Sequence, residues 1–261
     1  MNDFPCRKEY KYLVPNDLIP ELRAVMKPYV EIDKFAAKDG TGEYTIRSIY
    51  YDTLNLDFYD EKKESVKSRK KLRVRVYNDP NPDSVVFLEV KKKVNGLTIK
   101  HRAPFLHKNF YNLFSTVDID KYILSFSGNG KEKDDARRFF YHIYRRSMRP
   151  MVLVVYDREP FFCKFDSTIR VTFDKNIRSA IYTSFDTFYG NSPIKHCAPN
   201  HFVLEVKFNS GLPAWMIDII KDYQFKKISF SKYTICIDSH RLLRTASKPL
   251  HSPALFNQPV F

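Results

Sequence analysis

Leu72-Arg73-Val74-Arg75-Val76 is the stretch that decides the fold, because charged and aliphatic residues alternate along it without interruption. Successive side chains of a β-strand point to opposite faces, so the arginines would share one face and the aliphatic residues the other. The same pattern occurs in two near-identical segments, Leu88-Glu89-Val90-Lys91 and Leu204-Glu205-Val206-Lys207. The repeat predicts two strands of one kind, each with Glu and Lys opposite Leu and Val.

Period-two alternation of this kind recurs along most of the chain, which predicts an antiparallel sheet with one apolar and one charged face. Lys100 and Arg102 share a face, as do Tyr156 and Arg158. The pattern predicts eight strands, at residues 7–14, 44–52, 71–77, 85–92, 97–103, 152–159, 169–173 and 201–208.

Apolar residues three or four apart predict helices between the strands. The predicted helices begin near Pro15, cover 110–124, start at Asp134, follow Pro213, and cover 231–243. Residues 128–133 read as a polar break, and 246–261 as an irregular tail. No glycine-rich or serine-rich linker divides the chain, so one α+β domain over 1–245 is expected.

The composition favours an anionic partner and an intracellular location. Forty-four Lys and Arg against 30 Asp and Glu give a formal charge of +14, which attracts anions without naming one. The four cysteines have no metal-binding or redox spacing, and we find neither a secretory signal nor an apolar run long enough to span a membrane. We therefore expect a cytoplasmic protein with free thiols.

The recurrence of charged strand faces predicts a closed barrel with a charged lumen, its apolar outside covered by helices. In any single strand, alternating charges usually mark a solvated face. Repetition over six or more strands favours a lumen instead. Glutamates inside would offset part of the positive charge, and a polyanion with a divalent metal ion could offset the rest.

The ordered set of motifs resembles the triphosphate tunnel metalloenzymes (the CYTH-like superfamily), and among them the VTC-type polyphosphate polymerases. The resemblance covers nearly the whole chain. The motifs, in order, are Arg7-Lys8-Glu9-Tyr10-Lys11-Tyr12, Ser48-Ile49-Tyr50-Tyr51-Asp52-Thr53, Lys71-Leu72-Arg73-Val74-Arg75-Val76-Tyr77, Leu88-Glu89-Val90-Lys91, Tyr156-Asp157-Arg158, Ile169-Arg170-Val171, Leu204-Glu205-Val206-Lys207 and Phe230-Ser231-Lys232-Tyr233.

The resemblance implies an eight-stranded antiparallel tunnel and a role for each matching residue. The implied catalytic residues are Arg73, Arg75, Lys91, Arg158, Arg170 and Lys232. Substrate binding is implied for Lys11, Lys62, Lys100, Arg102, Tyr156, Lys207 and Ser231. Glu205, Glu89 and Glu9 would hold Mn²⁺ or Mg²⁺, since hard oxygen ligands suit either ion.

Two positions depart from the pattern of the resembling proteins. Many tunnel enzymes begin with ExExK, and Arg7 stands here at the first Glu position. This favours a one-metal site over a two-metal hydrolytic site. After Tyr59, where the polymerase branch usually has an arginine, Lys62 and Lys63 stand instead, and a lysine lacks the guanidinium fork.

The implied reaction passes the γ-phosphate of ATP to inorganic phosphate or polyphosphate and releases ADP. Such transfers need positioning and charge neutralisation rather than a general base. An inorganic or nucleoside triphosphatase is the nearest alternative. Polyphosphate or RNA binding without turnover is an alternative from another class, although nucleic acid is disfavoured by the glutamates among the cations. A degenerate scaffold or regulator is disfavoured because most tunnel positions are filled.

Overall fold

The computed structural model describes residues 7–37, 40–78, 81–95, 97–181, 183–190 and 194–240. Contacts divide the chain into two compact units. Unit one comprises Met1–Ile46, Val155–Ser179 and Ile194–Lys232, and unit two comprises Arg47–Val154, Ala180–Pro193 and Tyr233–Phe261. The predicted domain end at residue 245 and the tail at 246–261 lie outside the described residues and stay predictions.

All eight predicted strands are present. The described strands are β1 Lys8–Pro15, β2 Val30–Ile32, β3 Tyr44–Asp52, β4 Ser68–Tyr77, β5 Val85–Val94, β6 Leu97–Leu106, β7 Arg149–Cys163, β8 Arg170–Ile181, β9 Lys195–His196 and β10 His201–Phe208. The sheet is antiparallel in the pairings β1–β10, β10–β8, β2–β7, β4–β5, β5–β6 and β8–β9.

The pairing order is β1-β10-β8-β7-β3-β4-β5-β6, with β2 on β7 and β9 on β8. In the described residues this order does not return from β6 to β1, so the expected closed barrel is not confirmed. There are ten strands rather than eight. The two additional strands, β2 and β9, have three and two residues, which is too short for an alternating pattern to be recognised.

The described helices are α1 Ile19–Met26, α2 Lys34–Ala37, α3 Asp57–Lys63, α4 Phe110–Thr116, α5 Ile119–Tyr122, α6 Lys131–Arg146, α7 Ala214–Asp222 and α8 Lys232–Ser239. Six of the eight described helices lie where helices were predicted but differ in their ends, and α2 and α3 were not predicted. Short 3₁₀ turns occupy Asn16–Leu18, His107–Asn109 and Phe185–Phe188.

Two helix predictions were wrong in detail for local reasons. The expected helix over 110–124 is two helices, because Val117 adopts a left-handed conformation (φ 54°) and Asp118 caps α5 by accepting from the Lys121 amide. The expected polar break over 128–133 ends early. Gly130 (φ 73°) is followed at once by α6, which begins three residues before the predicted Asp134.

In each unit the aliphatic strand face is buried beneath helices, as the alternation predicted. In unit one, Leu204 and Val206 are fully buried and belong to a core that includes Leu22 of α1 and Met216 of α7. In unit two, Leu72 and its same-face neighbours on β4 are fully buried, and α6 packs on β5 and β6. Burial of the apolar faces leaves the opposite faces to carry the charged residues.

Asp52 at the end of β3 fixes the start of α3. Its carboxylate accepts hydrogen bonds from the Thr53, Phe58 and Tyr59 amides at 2.8, 2.9 and 3.0 Å, and from the Tyr233 hydroxyl. Asp52 is fully buried. It thereby satisfies amides at the first turn of α3, a helix that the sequence pattern did not predict.

Replacing Asp52 with Ala would leave three amides and a buried hydroxyl without their acceptor. Each buried unsatisfied group costs about 1–3 kcal/mol, so we expect Asp52→Ala to lower the free energy of unfolding by about 3 kcal/mol or more. Urea denaturation at pH 7 measures this, with the exposed Asp222→Ala as the control. A loss no larger than that of the control would show that the Asp52 network is not structural.

Candidate functional site

The charged face of unit one is built around the buried carboxylate of Glu205. Its Oε1 lies 2.9 Å from Lys11 Nζ, and its Oε2 lies 2.7 Å from Lys207 Nζ and 3.5 Å from an Arg158 nitrogen. The register explains this grouping, because Lys11 on β1 lies directly opposite Glu205 on β10. Burial alone would raise the pKa of Glu205, but Lys11, Lys207 and Lys232 outweigh it and hold that pKa well below its usual range.

Asp174 on β8 is a second buried anion of this face, and the sequence analysis missed it. Arg158 donates to both of its oxygens, at 2.6 and 2.8 Å, and Lys232 donates to Oδ2. Its side chain is fully buried. Burial would raise the pKa of Asp174, but Arg158 and Lys232 lower it to about 2. The alternation Arg170-Thr172-Asp174 was the available signal, but the predicted strand ended at residue 173.

Lys207 is incompletely compensated within this cluster. Burial lowers its pKa, Glu205 raises it and Arg158 lowers it, and the net effect is a pKa below the usual value. Burial also acts to lower the pKa of Lys11, yet Glu205 and Glu9 raise it above its usual value. The two lysines that contact Glu205 thus differ in the direction of their pKa shifts. A further anion would stabilise the charged form of Lys207 more than that of Lys11.

The carboxylates of Glu9 and Glu205 fit a divalent cation, provided that other oxygens complete its coordination. Among the described residues, no three His, Cys, Asp or Glu side chains group into a site that could hold a metal ion alone. Lys11 Nζ bridges Glu9 and Glu205, at 3.4 Å from Glu9 Oε1 and 2.9 Å from Glu205 Oε1. Mg²⁺ is usually held by one or two carboxylates plus substrate phosphates. Glu9 and Glu205 would supply the carboxylates, and substrate phosphates would complete the coordination.

The charged face of unit two is built around the buried carboxylate of Glu89. Arg73 Nε donates to Oε2 at 2.6 Å, while Lys100 Nζ and Arg102 Nε lie 2.9 and 3.2 Å from Oε1. Arg75 Nε is 3.9 Å from Oε2. Four cations therefore contact one carboxylate. The pairing of β4, β5 and β6 produces this arrangement, because Arg73, Glu89 and Arg102 lie side by side in register.

Neighbouring groups respond to this excess of positive charge. Burial would raise the pKa of the Tyr77 hydroxyl, yet Arg75 and Arg102 bring it below its usual value. Burial lowers the pKa of Lys100, and the attraction of Glu89 does not compensate because Arg102 and Arg73 act in the opposite direction. The strand face around Glu89 thus stabilises additional negative charge.

Polar residues of β3 orient the two arginines of β4, which the sequence analysis did not foresee. Arg73 Nη1 donates to the Tyr50 hydroxyl at 2.9 Å, and Arg75 Nε donates to Ser48 Oγ at 3.1 Å. Ser48 and Tyr50 both belong to the motif Ser48–Thr53 that carries the resemblance. The sequence therefore marked these two residues, but it did not indicate that they contact the arginines. These bonds hold the guanidinium groups in place on their strand.

The remaining predicted site residues occupy three kinds of position. Tyr156 lies under Lys232, whose Nζ is 4.6 Å from the ring centroid, and Ser231 is buried just before α8. Arg170 on β8 donates to Asp33 at 3.1 Å, at one side of the Glu205 cluster. Lys91 is half-buried on β5, and Lys62 is half-buried on α3. The roles predicted for these two lysines stay predictions.

Comparisons with known proteins agree on one family. The sequence model of the VTC domain matches residues 6–241. The chain is similar to the vacuolar transporter chaperone complex subunit 4 of Schizosaccharomyces pombe, with 26% identity over 66% of this chain and 26% of that protein. The chain thus spans about a quarter of that relative's length.

Two solved structures resemble the chain more distantly. The PH1819 protein from Pyrococcus horikoshii OT3 has 13% identity and a TM-score of 0.44, over 89% of this chain and 99% of that one. The putative adenylyl cyclase HpAC1 from Hippeastrum, reported to have a dominant triphosphatase activity, has 10% identity and a TM-score of 0.44, over 88% and 95%.

The depressed pKa of Asp174 predicts acid sensitivity. Its folded-state pKa of about 2 lies below the unfolded value of about 3.9, so ionised Asp174 stabilises the fold above about pH 4 and this stabilisation is lost as pH falls toward 2. Between these pH values the wild type should lose on the order of 2 kcal/mol more unfolding free energy than Asp174→Asn. Urea titrations at several pH values measure this, with Asp222→Asn as control. Equal pH dependence in wild type and Asp174→Asn would refute it.

Proposed function

Because this chain belongs to the VTC domain family, we propose that it is a metal-dependent phosphotransferase that passes the γ-phosphate of ATP to inorganic phosphate or polyphosphate. ADP is the other product. The observation that carries the proposal is the contact of four cations with the single carboxylate of Glu89. A protein face with so much positive charge needs an anionic ligand, and a chain of phosphates supplies several charges in a row.

One buried arginine donor supports a phosphate ligand. Arg170 Nε has no hydrogen-bond acceptor among the described residues. A buried donor without an acceptor costs about 1–3 kcal/mol, and a phosphate oxygen would remove that cost. Arginine suits this role because its planar fork binds phosphate oxygens in pairs.

The side chains act in this reaction by holding and neutralising the phosphates. Arg73 and Arg75 are oriented by Tyr50 and Ser48, and Lys232 is held between Asp174 and the Tyr156 ring. Such preorganised cations stabilise the charge that spreads over the phosphoryl oxygens in the transition state. The acceptor phosphate is already ionised, so no side chain needs to remove a proton from it.

Glu205 and Glu9 are the residues that we propose to hold Mn²⁺ or Mg²⁺. A divalent ion bound there would neutralise phosphate oxygens and help to align ATP. Glu89 is enclosed by four cations, and we assign it to charge balance on its strand face. The metal role that the resemblance implied for Glu89 is therefore the weakest of the three.

The position of Arg7 favours transfer over hydrolysis. Many tunnel enzymes place a glutamate there, which would add a third carboxylate beside Glu9 and Glu205. Arg7 is exposed and donates to the Thr168 carbonyl oxygen at 3.4 Å. One carboxylate pair is consistent with one metal ion, and a water-activating second ion would lack this ligand.

The location of the protein stays a prediction. In the part of the chain that the structure describes, no helix is long and apolar enough to cross a membrane. The described cysteines, Cys163, Cys197 and Cys236, are not in disulfides. The cytoplasmic location inferred from the sequence is our proposal.

The reaction is tested by incubating the purified protein with ATP and Mn²⁺ and measuring polyphosphate, free phosphate and ADP over time. We expect polyphosphate to accumulate with a matching amount of ADP, and EDTA to stop both until Mn²⁺ is restored in excess. Free phosphate as the sole phosphate product would identify a triphosphatase. Absence of any nucleotide turnover would contradict both activities and favour a binding protein.

Single substitutions assign the reaction to the two clusters. Arg73→Ala, Lys232→Ala and Glu205→Gln should each lower kcat by roughly 10²-fold or more, because each removes charge stabilisation or metal binding. Lys221→Ala, an exposed lysine on α7, is the matched control and should retain wild-type turnover. Thermal melting shows that each variant is folded. Normal activity in both Arg73→Ala and Lys232→Ala would show that the assigned residues are wrong.

A further inference from the structure

A second cationic site lies in unit two, on the strand face opposite Glu89. It is a pocket of about 670 Å³ between β4–β6 and α6, which we call the α6 pocket. This volume lies within the range of roughly 300–1,000 Å³ that is typical of small-molecule sites. The polar part of its lining consists of Lys70, Lys92, His101, Arg137, Arg138 and His142. None of these residues has a role in the proposed reaction.

The strand register places two lysines of this pocket directly against each other. Lys70 on β4 is the cross-strand partner of Lys92 on β5. Like charges directly opposite on neighbouring strands are destabilising. Among the described residues, no carboxylate forms an ion pair with Lys70, Lys92 or Arg138. Within the part of the chain that the structure describes, no direct ion pair relieves this repulsion, although the Glu61 carboxylate attracts Lys70 from a greater distance.

The ionisation of neighbouring groups reflects this uncompensated charge. Burial, together with the charges of Lys70, Arg146 and Lys92, lowers the pKa of His142 to about 4. Burial, Arg146 and Lys92 also lower the pKa of Lys70, and the attraction of Glu61 does not restore it. The pocket thus opposes the addition of positive charge at two separate side chains.

Asp135 contacts His101, but its carboxylate does not compensate Lys92 or Arg138 because it is bound by other groups. Its Oδ1 lies 2.6 Å from His101 Nδ1, and its Oδ2 accepts from the Arg102 amide at 2.9 Å. Asp135 is buried, and its further ion pair is with Lys131 at 3.4 Å. It orients His101 and leaves the charges of Lys92 and Arg138 to an outside anion.

We propose that the α6 pocket binds a condensed phosphate chain at a site separate from the Glu89 and Glu205 clusters. The Arg138 guanidinium group and the Lys70 and Lys92 ammonium groups supply donors for several phosphate groups in sequence. Arg137 is already paired with Asp134 at 2.9 Å and with Asp120 at 3.6 Å. The identity of the anion rests on the proposed function, which makes condensed phosphate the product at hand. Single-stranded RNA is disfavoured because its bases stack on series of Phe, Tyr or Trp rings, whereas the described lining has one ring of these three types, that of Tyr141.

Calorimetric titration with tripolyphosphate, in EDTA and without nucleotide, tests the proposal. The wild type should show two binding events. Lys92→Ala/Arg138→Ala should weaken one of them about tenfold or more and leave the other unchanged, while Arg73→Ala/Arg75→Ala in the Glu89 cluster should do the reverse. Lys34→Ala/Lys221→Ala removes the same charge from exposed helix positions and should retain both events. Lys92→Gln alone provides a gentler variant if the double variant does not fold.

A single event that Lys92→Ala/Arg138→Ala and Lys92→Gln leave unchanged would overturn the proposal. It would also be overturned if these variants weakened binding of a ten-nucleotide oligouridylate but not of tripolyphosphate, since the pocket would then be a nucleic-acid site. Failure of ATP turnover would contradict the proposed function without altering this titration. The two hypotheses can therefore fail separately.

Discussion

The desolvation of two glutamates is the constraint on which the rest of the site depends. Glu89 and Glu205 come from the repeated Leu-Glu-Val-Lys segment, and each is almost fully buried. A buried carboxylate without partners would lose several kcal/mol of hydration or take up a proton. Both instead remain ionised, with pKa values held well below the usual range by adjacent cations. The sheet register is what brings those cations within reach.

The balance of positive and negative charge differs around the two glutamates. Glu205 shares its cations with Asp174 and Glu9, so positive and negative charges on that face are nearly matched. Glu89 is contacted by four cations. The first face is accordingly suited to holding a metal ion with phosphate, and the second to binding phosphate directly. The same Leu-Glu-Val-Lys segment thus occurs in two strands whose neighbouring charges differ.

Unit two carries cations on both faces of the same three strands. Lys91 and Lys92 are adjacent on β5 and therefore project to opposite faces, one toward the side of Glu89 and one into the α6 pocket. The backbone of the sheet separates the two sides, and Leu72 and Val90 are buried on the side of the α6 pocket. The structure thus places a second basic surface behind the first, with α6 supplying half of it.

The sequence by itself determined eight of the ten described strands, the buried aliphatic faces and the chemical character of the charged faces, because a period of two is set locally by backbone geometry. It also allowed the VTC family to be recognised from motifs in order along the chain. The role of Asp174, the orientation of Arg73 by Tyr50 and the beginning of α3 at Asp52 depended on partners distant in sequence. Only the tertiary structure decided these, since register and burial determine which charges meet, and neither is encoded within one strand.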